Sequence, residues 1–527
     1  MKSELFQYDH IPFISKFDQQ YFAKDPSLLK YFEFEPNLAG IKKALGEKSK
    51  NFSNRTVLVE TLKAQHKHKV STEVTNAINL LANDNCYCVT SAHQPCLFGG
   101  PAYYLYKIAS SIHLTRTLNE TFKDNTFVPV FFLGLEDHDF EEINHLRLFG
   151  KNIVWQNEAK GAVGRLSIDG LDAVKNEILA LYANQADVHE YLSEILSKSI
   201  QEKDFGDSIR TFLYEIFGKY GLVILNPDDK AFKNLMIPVF KEELLSQVSS
   251  KIVSQTTERM QEDNIKVQAK GREINLFYLK DNIRERIMPT GDGYEVMNTS
   301  IKFTQDEILQ EVEIYPENFS PNVILRPLFQ ETILPSVAFI GGGGELAYWS
   351  ELKSVFNHFN TTYPVLLRRN SVLIIDNANN RKLHKIGLTI QDFLQALEDI
   401  QAQYIQKNAE VLDFSNISDS VAEEFDQLKD KIQLYDASLL AKFEADKNQI
   451  RNKIEDWEKK LNKQVKQKNS VALNQIESVY DRIYPNGNLQ ERVESSIYVL
   501  ASFGPGFIDY LIENLNPLEE KFMVIQP

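Results

Sequence analysis

The stretch from Val89 to His145 constrains the fold more than any other part of the chain. An apolar segment enters Ser91-Ala92-His93-Gln94-Pro95-Cys96-Leu97-Phe98-Gly99-Gly100-Pro101, and a helical pattern follows. A second apolar segment then ends in Glu136-Asp137-His138-Asp139-Phe140-Glu141-Glu142-Ile143-Asn144-His145. Two buried strands joined through a helix make a parallel βαβ unit. A glycine-rich turn before the helix leaves free N–H groups at its positive end, which suits an anion. Ligands of open α/β sheets bind beyond the carboxyl ends of the strands, so both polar clusters are expected to face one pocket.

Strands are expected at 86–91, 127–135, 222–225, 274–279 and 363–367, with 371–375 closing the α/β part and a helix at 102–118. Strands alternating with helices predict an α/β fold with a parallel sheet. Residues 1–80 read as a mostly helical wrap with irregularly spaced aromatic anchors such as Tyr8, Tyr21 and Phe32. Residues 151–217 read as an insertion of weak strands followed by amphipathic helices, a small accessory subdomain. Beyond Ile375, Val421, Phe425, Leu428, Ile432, Tyr435 and Leu439 step by four and three, as do Ile450, Ile454, Trp457 and Leu461. This is a heptad seam, interrupted at Leu439 to Phe443 and at Lys447, where local unwinding is expected. Pairing within one chain and pairing between two chains both fit. Pro485 and Gly487 stop the helix.

These patterns divide the chain into 1–150 (wrap and first half of the core), 151–217 (connecting subdomain) and 218–385 (second half of the core). A coiled-coil arm at 386–485 and a helical return to the core at 486–527 complete it. Several domains are required, because 527 residues exceed the roughly 250–300 at which single cores stop growing. A net charge of -15 without a long basic run argues against double-stranded nucleic acid as a partner. No apolar run approaches the roughly 20 residues of a membrane span, and Met1 to Phe13 lacks the order of a signal peptide, so a cytoplasmic protein is expected. Three cysteines exclude a disulfide framework. Cys86 and Cys88 are expected in a strand core, whereas Cys96 lies in the loop itself.

His93 offers an imidazole that can neutralise a phosphate or protonate a leaving group, and Gly99 and Gly100 permit close backbone approach. Asp137, His138, Asp139, Glu141, Glu142 and His145 are ligand types for a divalent ion, with His138 and His145 seven apart on one expected helical face. Acidic residues are equally favoured in a first helical turn, so substrate binding is expected there and no metal is assigned. A third segment runs from Arg326 through Glu331 to Gly341-Gly342-Gly343-Gly344-Glu345-Leu346-Ala347-Tyr348-Trp349. Arg326 can clamp a carboxylate, the glycines can cradle an anion, and Glu345, Tyr348 and Trp349 would share the adjoining helical face. Arg368-Arg369, after a closing strand, is a weaker candidate, since exposed arginine pairs are usually solvated. Residue types alone also permit a metal-dependent hydrolase using Asp137, His138 and Asp139, or a non-catalytic coiled-coil scaffold with a ligand-binding α/β domain.

Six ordered segments together resemble the bacillithiol-biosynthesis cysteine ligase (BshC) family. They are His93-Gln94-Pro95 to Pro101, Glu136 to Asp139 with Ile143-Asn144-His145, Ile274 to Tyr278, Leu325-Arg326-Pro327, Gly344 to Trp349 and Leu489-Gln490-Glu491-Arg492. The resemblance spans nearly the whole chain. It implies a Rossmann-like core related to class I aminoacyl-tRNA synthetases and nucleotidyltransferases, a small connecting subdomain, and an α-helical coiled-coil arm that makes homodimers. The implied reaction adds cysteine to glucosaminyl malate in the last step of bacillithiol synthesis; the activating cosubstrate is left open, with ATP and magnesium one that could supply the activation. His93, with Gly99 and Gly100, would then steady phosphates, while Asp137, His138 and Asp139 hold an amine and accept its proton. Gln94, Glu141, Asn144, His145 and Glu331 would bind substrate, Arg326 a carboxylate, and Glu345, Tyr348 and Trp349 the sugar. Relatives of the superfold carry His-x-Gly-His where this chain has His93-Gln94-Pro95, and no Lys-Met-Ser-Lys-Ser-like loop is found.

Overall fold

The structure, a computed structural model, describes residues 2–66, 70–158, 160–408 and 412–526. Its centre is a five-stranded sheet of β1 (Cys86–His93), β2 (Thr126–Leu133), β3 (Val223–Leu225), β4 (Ser336–Gly341) and β5 (Val365–Arg368). The spatial order is β5-β4-β1-β2-β3, and every neighbouring pair is parallel. The chain steps outward from β1 to β3 and then returns to the other side of β1. A topological switch point therefore lies between β1 and β4, where such sheets open a crevice.

β1 is buried along nearly its whole length, as a central strand covered on both faces must be. Alternate side chains part company: Cys86 and Cys88 join one core with Val128 and Phe132, while Tyr87 and Val89 join another with Phe127. Helix α1 (Tyr103–Thr121) follows β1, α2 (Arg326–Ile333) precedes β4, and α3 (Gly343–Ser350) follows β4. The expected strand at 274–279 forms as Leu276–Lys280, but in a separate antiparallel sheet with Ile283–Thr290, Gly293–Val296, Lys302–Phe303 and Phe319–Pro321. A short apolar run specifies a strand and not its partner. Ser371–Ile374 likewise leaves the central sheet, pairing parallel with Phe522–Gln526, which pairs antiparallel with Lys2–Phe6. Arg368 and Arg369 stand at the exit, each paired with a buried carboxylate, Asp18 and Glu491 respectively.

In the 151–217 segment, Lys151–Val154 forms a hairpin with His145–Leu148. The helices that follow place Ile178, Leu192 and Phe212 in the same apolar cluster as Tyr104, Phe131 and Leu133 of α1 and β2. Toward the C-terminus, α4 (Ser415–Tyr435) and α5 (Leu440–Lys468) form an antiparallel hairpin within one chain. Phe425 stacks on Phe443 at 4.9 Å, and Lys447, the expected interruption, bonds Asp426 at 2.6 Å. Leu439 lies in the turn and not in the seam. Among the described residues, no helix is long and apolar enough to cross a membrane.

Candidate active site

A cavity of about 1150 Å³ opens at the switch point. That exceeds the volume of an ordinary small-ligand site and leaves room for two small substrates. Its walls come from the carboxyl ends of β1 and β2, the start of α3, and the antiparallel sheet opposite.

His93 closes β1. Its Nδ1–H donates to the Gln94 carbonyl at 3.2 Å, and its Nε2 accepts from the Tyr103 hydroxyl at 3.0 Å. A carbonyl can only accept, so this pairing leaves the lone pair on Nε2. Burial, aided by the Lys107 ammonium, lowers the His93 imidazole to about 4, so it is neutral at pH 7. Lys107 reaches up from α1, donating to the Ala92 carbonyl at 2.8 Å and to Glu345 at 2.5 Å. Glu345 in turn accepts the Gly342 N–H at 2.8 Å, which closes the first turn of α3. Cys96 sits with its Sγ 3.7 Å from His93 Nδ1, and burial pushes the thiol up to about 12. Such a thiol stays protonated and packs as a small apolar group.

Beyond β2, Glu136 forms a buried ion pair with Lys233. Burial alone would raise the neighbouring Asp137 carboxyl, but His138 and Arg284 beside it reverse that and bring it down to about 2. Asp139 caps a helix of only four residues, Phe140–Ile143, by accepting the Glu142 N–H at 3.3 Å. The expected two-turn helical face joining His138 to His145 therefore does not form, and His145 opens the strand His145–Leu148 instead. Both histidines still border the cavity. Among the described residues, no three His, Cys, Asp or Glu side chains converge as metal ligands.

Much of the rest of the lining is cationic. The Arg326 guanidinium bonds the Tyr348 hydroxyl at the cavity surface. Arg369 grips Glu491 through two bonds of 2.7 and 3.0 Å, and its buried Nε, without a partner, lies beside Gly342. Arg284, Arg286 and Arg492 add further guanidinium groups. A site built this way suits a substrate carrying more than one carboxylate or phosphate.

The cavity thus gathers His93, Gln94, Asp137, His138, Glu142, His145, Arg326, Glu345 and Tyr348 from the expected set. Other expected residues stand elsewhere. Gly99 and Gly100 hold φ of 79° and 53° and shape the turn for packing, since a Cβ on Gly100 would lie 2.5 Å from that of Cys96. Glu331 is buried against Lys48 at 2.9 Å, and Trp349 stacks on Phe339 at 4.4 Å in the core. Asp139, Glu141 and Asn144 do not line the cavity. Arg326 was expected, but Arg284, Arg286 and Arg492 were not, and Arg369 was only a weaker candidate. Arg368 and Arg369 are not solvated, each being 2% exposed. Arg284 and Arg286 carried a usable signal, because alternate arginines on a strand place two cations on one face.

A 3-2-1-4-5 parallel sheet with a polar pocket at its switch point, extended by a helical hairpin, defines a Rossmann-like α/β enzyme with a coiled-coil arm. Residues 1–370 match the bacillithiol biosynthesis BshC N-terminal Rossmann-like domain, and residues 372–527 match the BshC C-terminal coiled-coil domain. The chain belongs to the BshC family. It is 37% identical to a relative from Flavobacterium psychrophilum and 38% identical to one from Flavobacterium johnsoniae, each alignment covering all of both chains. A relative from Staphylococcus aureus is 27% identical over 83% of this chain and 84% of its own. All three carry the name cysteine ligase BshC, and this chain is a ligase of that family.

Proposed function

We propose that the switch-point cavity joins the carboxyl group of cysteine to the amine of glucosaminyl malate, the amide-forming last step of bacillithiol synthesis. The observation that carries this reading is the meeting of a neutral imidazole, His93, with the guanidinium wall of Arg326 and Arg369 in one cavity large enough for both substrates. A malate-bearing sugar brings two carboxylates, which the guanidinium groups suit in charge and geometry. Asp137, held ionised, offers a counter-ion for an ammonium and is too weak a base to take its proton. His93, whose Nε2 accepts from the Tyr103 hydroxyl, is the stronger base of the two and can take the proton of an attacking amine where that hydroxyl gives way.

A carboxylate resists amine attack at neutral pH unless it is first activated as a phosphate or adenylate. ATP with magnesium is the cosubstrate class that supplies this activation, and the Arg326 guanidinium and the unpartnered Nε of Arg369 suit its anionic groups. The test is turnover of His93→Ala and Arg326→Ala against wild type, reading the amide product by mass spectrometry. The reading expects His93→Ala to lose most product at any substrate concentration and Arg326→Ala to lose it at substrate concentrations below KM; wild-type turnover by both variants under these conditions would remove the assignment. The reading further includes a cytoplasmic homodimer formed through the arm, supported by seam residues that face solvent, Leu428, Trp457 and Leu461 among them. A Trp457→Glu chain that sediments as a monomer, beside a dimeric wild type, is the expected result there.

A further inference from the structure

Arg284 reaches the cavity from Ile283–Thr290 of the antiparallel sheet and meets His138 from the end of β2. Its NH1 lies 2.6 Å from His138 Nδ1. A guanidinium has no acceptor and does not lose its proton in proteins, so it can only donate here. Asp137 Oδ1 also faces Nδ1 but stands farther off, at 3.6 Å, so the closer Arg284 contact makes Nδ1 the unprotonated nitrogen. The arginine has little freedom to retreat: its guanidinium lies 4.0 Å above the Phe277 ring, its Nε donates to Ser320 at 3.2 Å, and the side chain is only 7% exposed. The Asp137 carboxylate, 3.9 Å from the same NH1, balances its charge.

We propose that Arg284 is a positioning residue that fixes His138 as the neutral Nε2–H tautomer, so that His138 meets substrate as a hydrogen-bond donor to an oxygen and not as a base. The two pocket histidines then have opposite roles. His93 has an accepting Nε2, engaged by the Tyr103 hydroxyl, and His138 is left with an Nε2–H. An N–H donor fixed in place before reaction stabilises the oxygen that gains charge as an amine attacks an acyl carbon. This division of labour rests on the amide-forming reading of the pocket, whereas the tautomer itself does not.

The experiment is nitrogen NMR of the full-length protein labelled with 15N-histidine, with His138 assigned by the signals lost in His138→Gln. The proposal expects a pyridine-type Nδ1 and a pyrrole-type Nε2 in wild type, averaging toward a mixture in Arg284→Met and largely restored in Arg284→Lys. A pyrrole-type Nδ1 in wild type overturns it. Kinetics supply a second readout that needs no Arg284 variant to fold. His138→Ala should lower kcat about 100-fold. His138→Gln, which retains an N–H donor, should recover much of that loss, and His138→Glu, which offers only a base, should not. Rescue by Glu and not Gln overturns the donor role. Absence of any amide product from wild type would instead remove the ligase reading and leave the nitrogen assignment to the spectrum.

Discussion

Lys107 of α1 donates to Glu345 of α3 at 2.5 Å, bridging the two helices that flank the switch point between β1 and β4. Lys107 is fully buried, and its carboxylate partner also caps the Gly342 N–H. Removing one member of such a pair strands a charge in low dielectric. Lys107→Met is expected to cost about 3–5 kcal/mol, with a large part recovered in the Lys107→Met/Glu345→Gln double variant. Urea unfolding of the two single variants and the double variant measures the coupling.

Arg326 separates binding from folding. Its guanidinium faces the cavity and bonds Tyr348, so Arg326→Ala should raise KM for the carboxylate substrate about 10-fold or more, with a smaller change in kcat. Glu331, five residues along α2, turns to the buried Lys48. Glu331→Gln is expected to lower stability and leave KM unchanged. Steady-state kinetics beside thermal unfolding distinguishes the two residues.

His66 gives a signed pH prediction. Burial, with Arg210 nearby, lowers it to about 4, against about 6.5 in the unfolded chain. Between those values the unfolded state binds a proton that the folded state refuses, so stability present above pH 6.5 falls as the pH drops toward 4. His93, also lowered to about 4, adds in the same direction. The slope of unfolding free energy against pH should flatten by about one proton in His66→Gln.

Glu351 has the opposite sign. Burial raises its carboxyl to about 7, although Oε1 accepts the Gln268 and Ala269 N–H groups. The folded state therefore holds a proton that the unfolded state releases, and stability present at pH 5 is lost as the pH rises through 7. Glu351→Gln should stabilise the protein by about 2 kcal/mol at pH 8 and change little at pH 5. Chemical unfolding at the two pH values checks this.

Much of the core was legible because its signals are local. A buried run, a turn and a helical pattern specify β1 and α1, and the polar residues that end β1 and β2 necessarily meet in a parallel sheet. Apart from Arg326, the cationic lining was not legible, because Arg284, Arg369 and Arg492 come from a second sheet, a strand exit and the C-terminal segment, and only tertiary topology gathers them. Trp349 shares the spacing of Glu345 and Tyr348 yet rotates into the core, where Phe339 offers a stacking face. The arm's turn at Asp436 to Leu439 contains neither glycine nor proline. Its signal was subtler, the Asp436 side chain accepting the Ser438 N–H.

The most direct measurement is to incubate the purified protein with glucosaminyl malate and cysteine, with and without ATP and magnesium, and to search for the cysteinyl amide by mass spectrometry. The account predicts product only when ATP is present, and its loss in His93→Ala. No amide under either condition from the folded wild-type protein would contradict it.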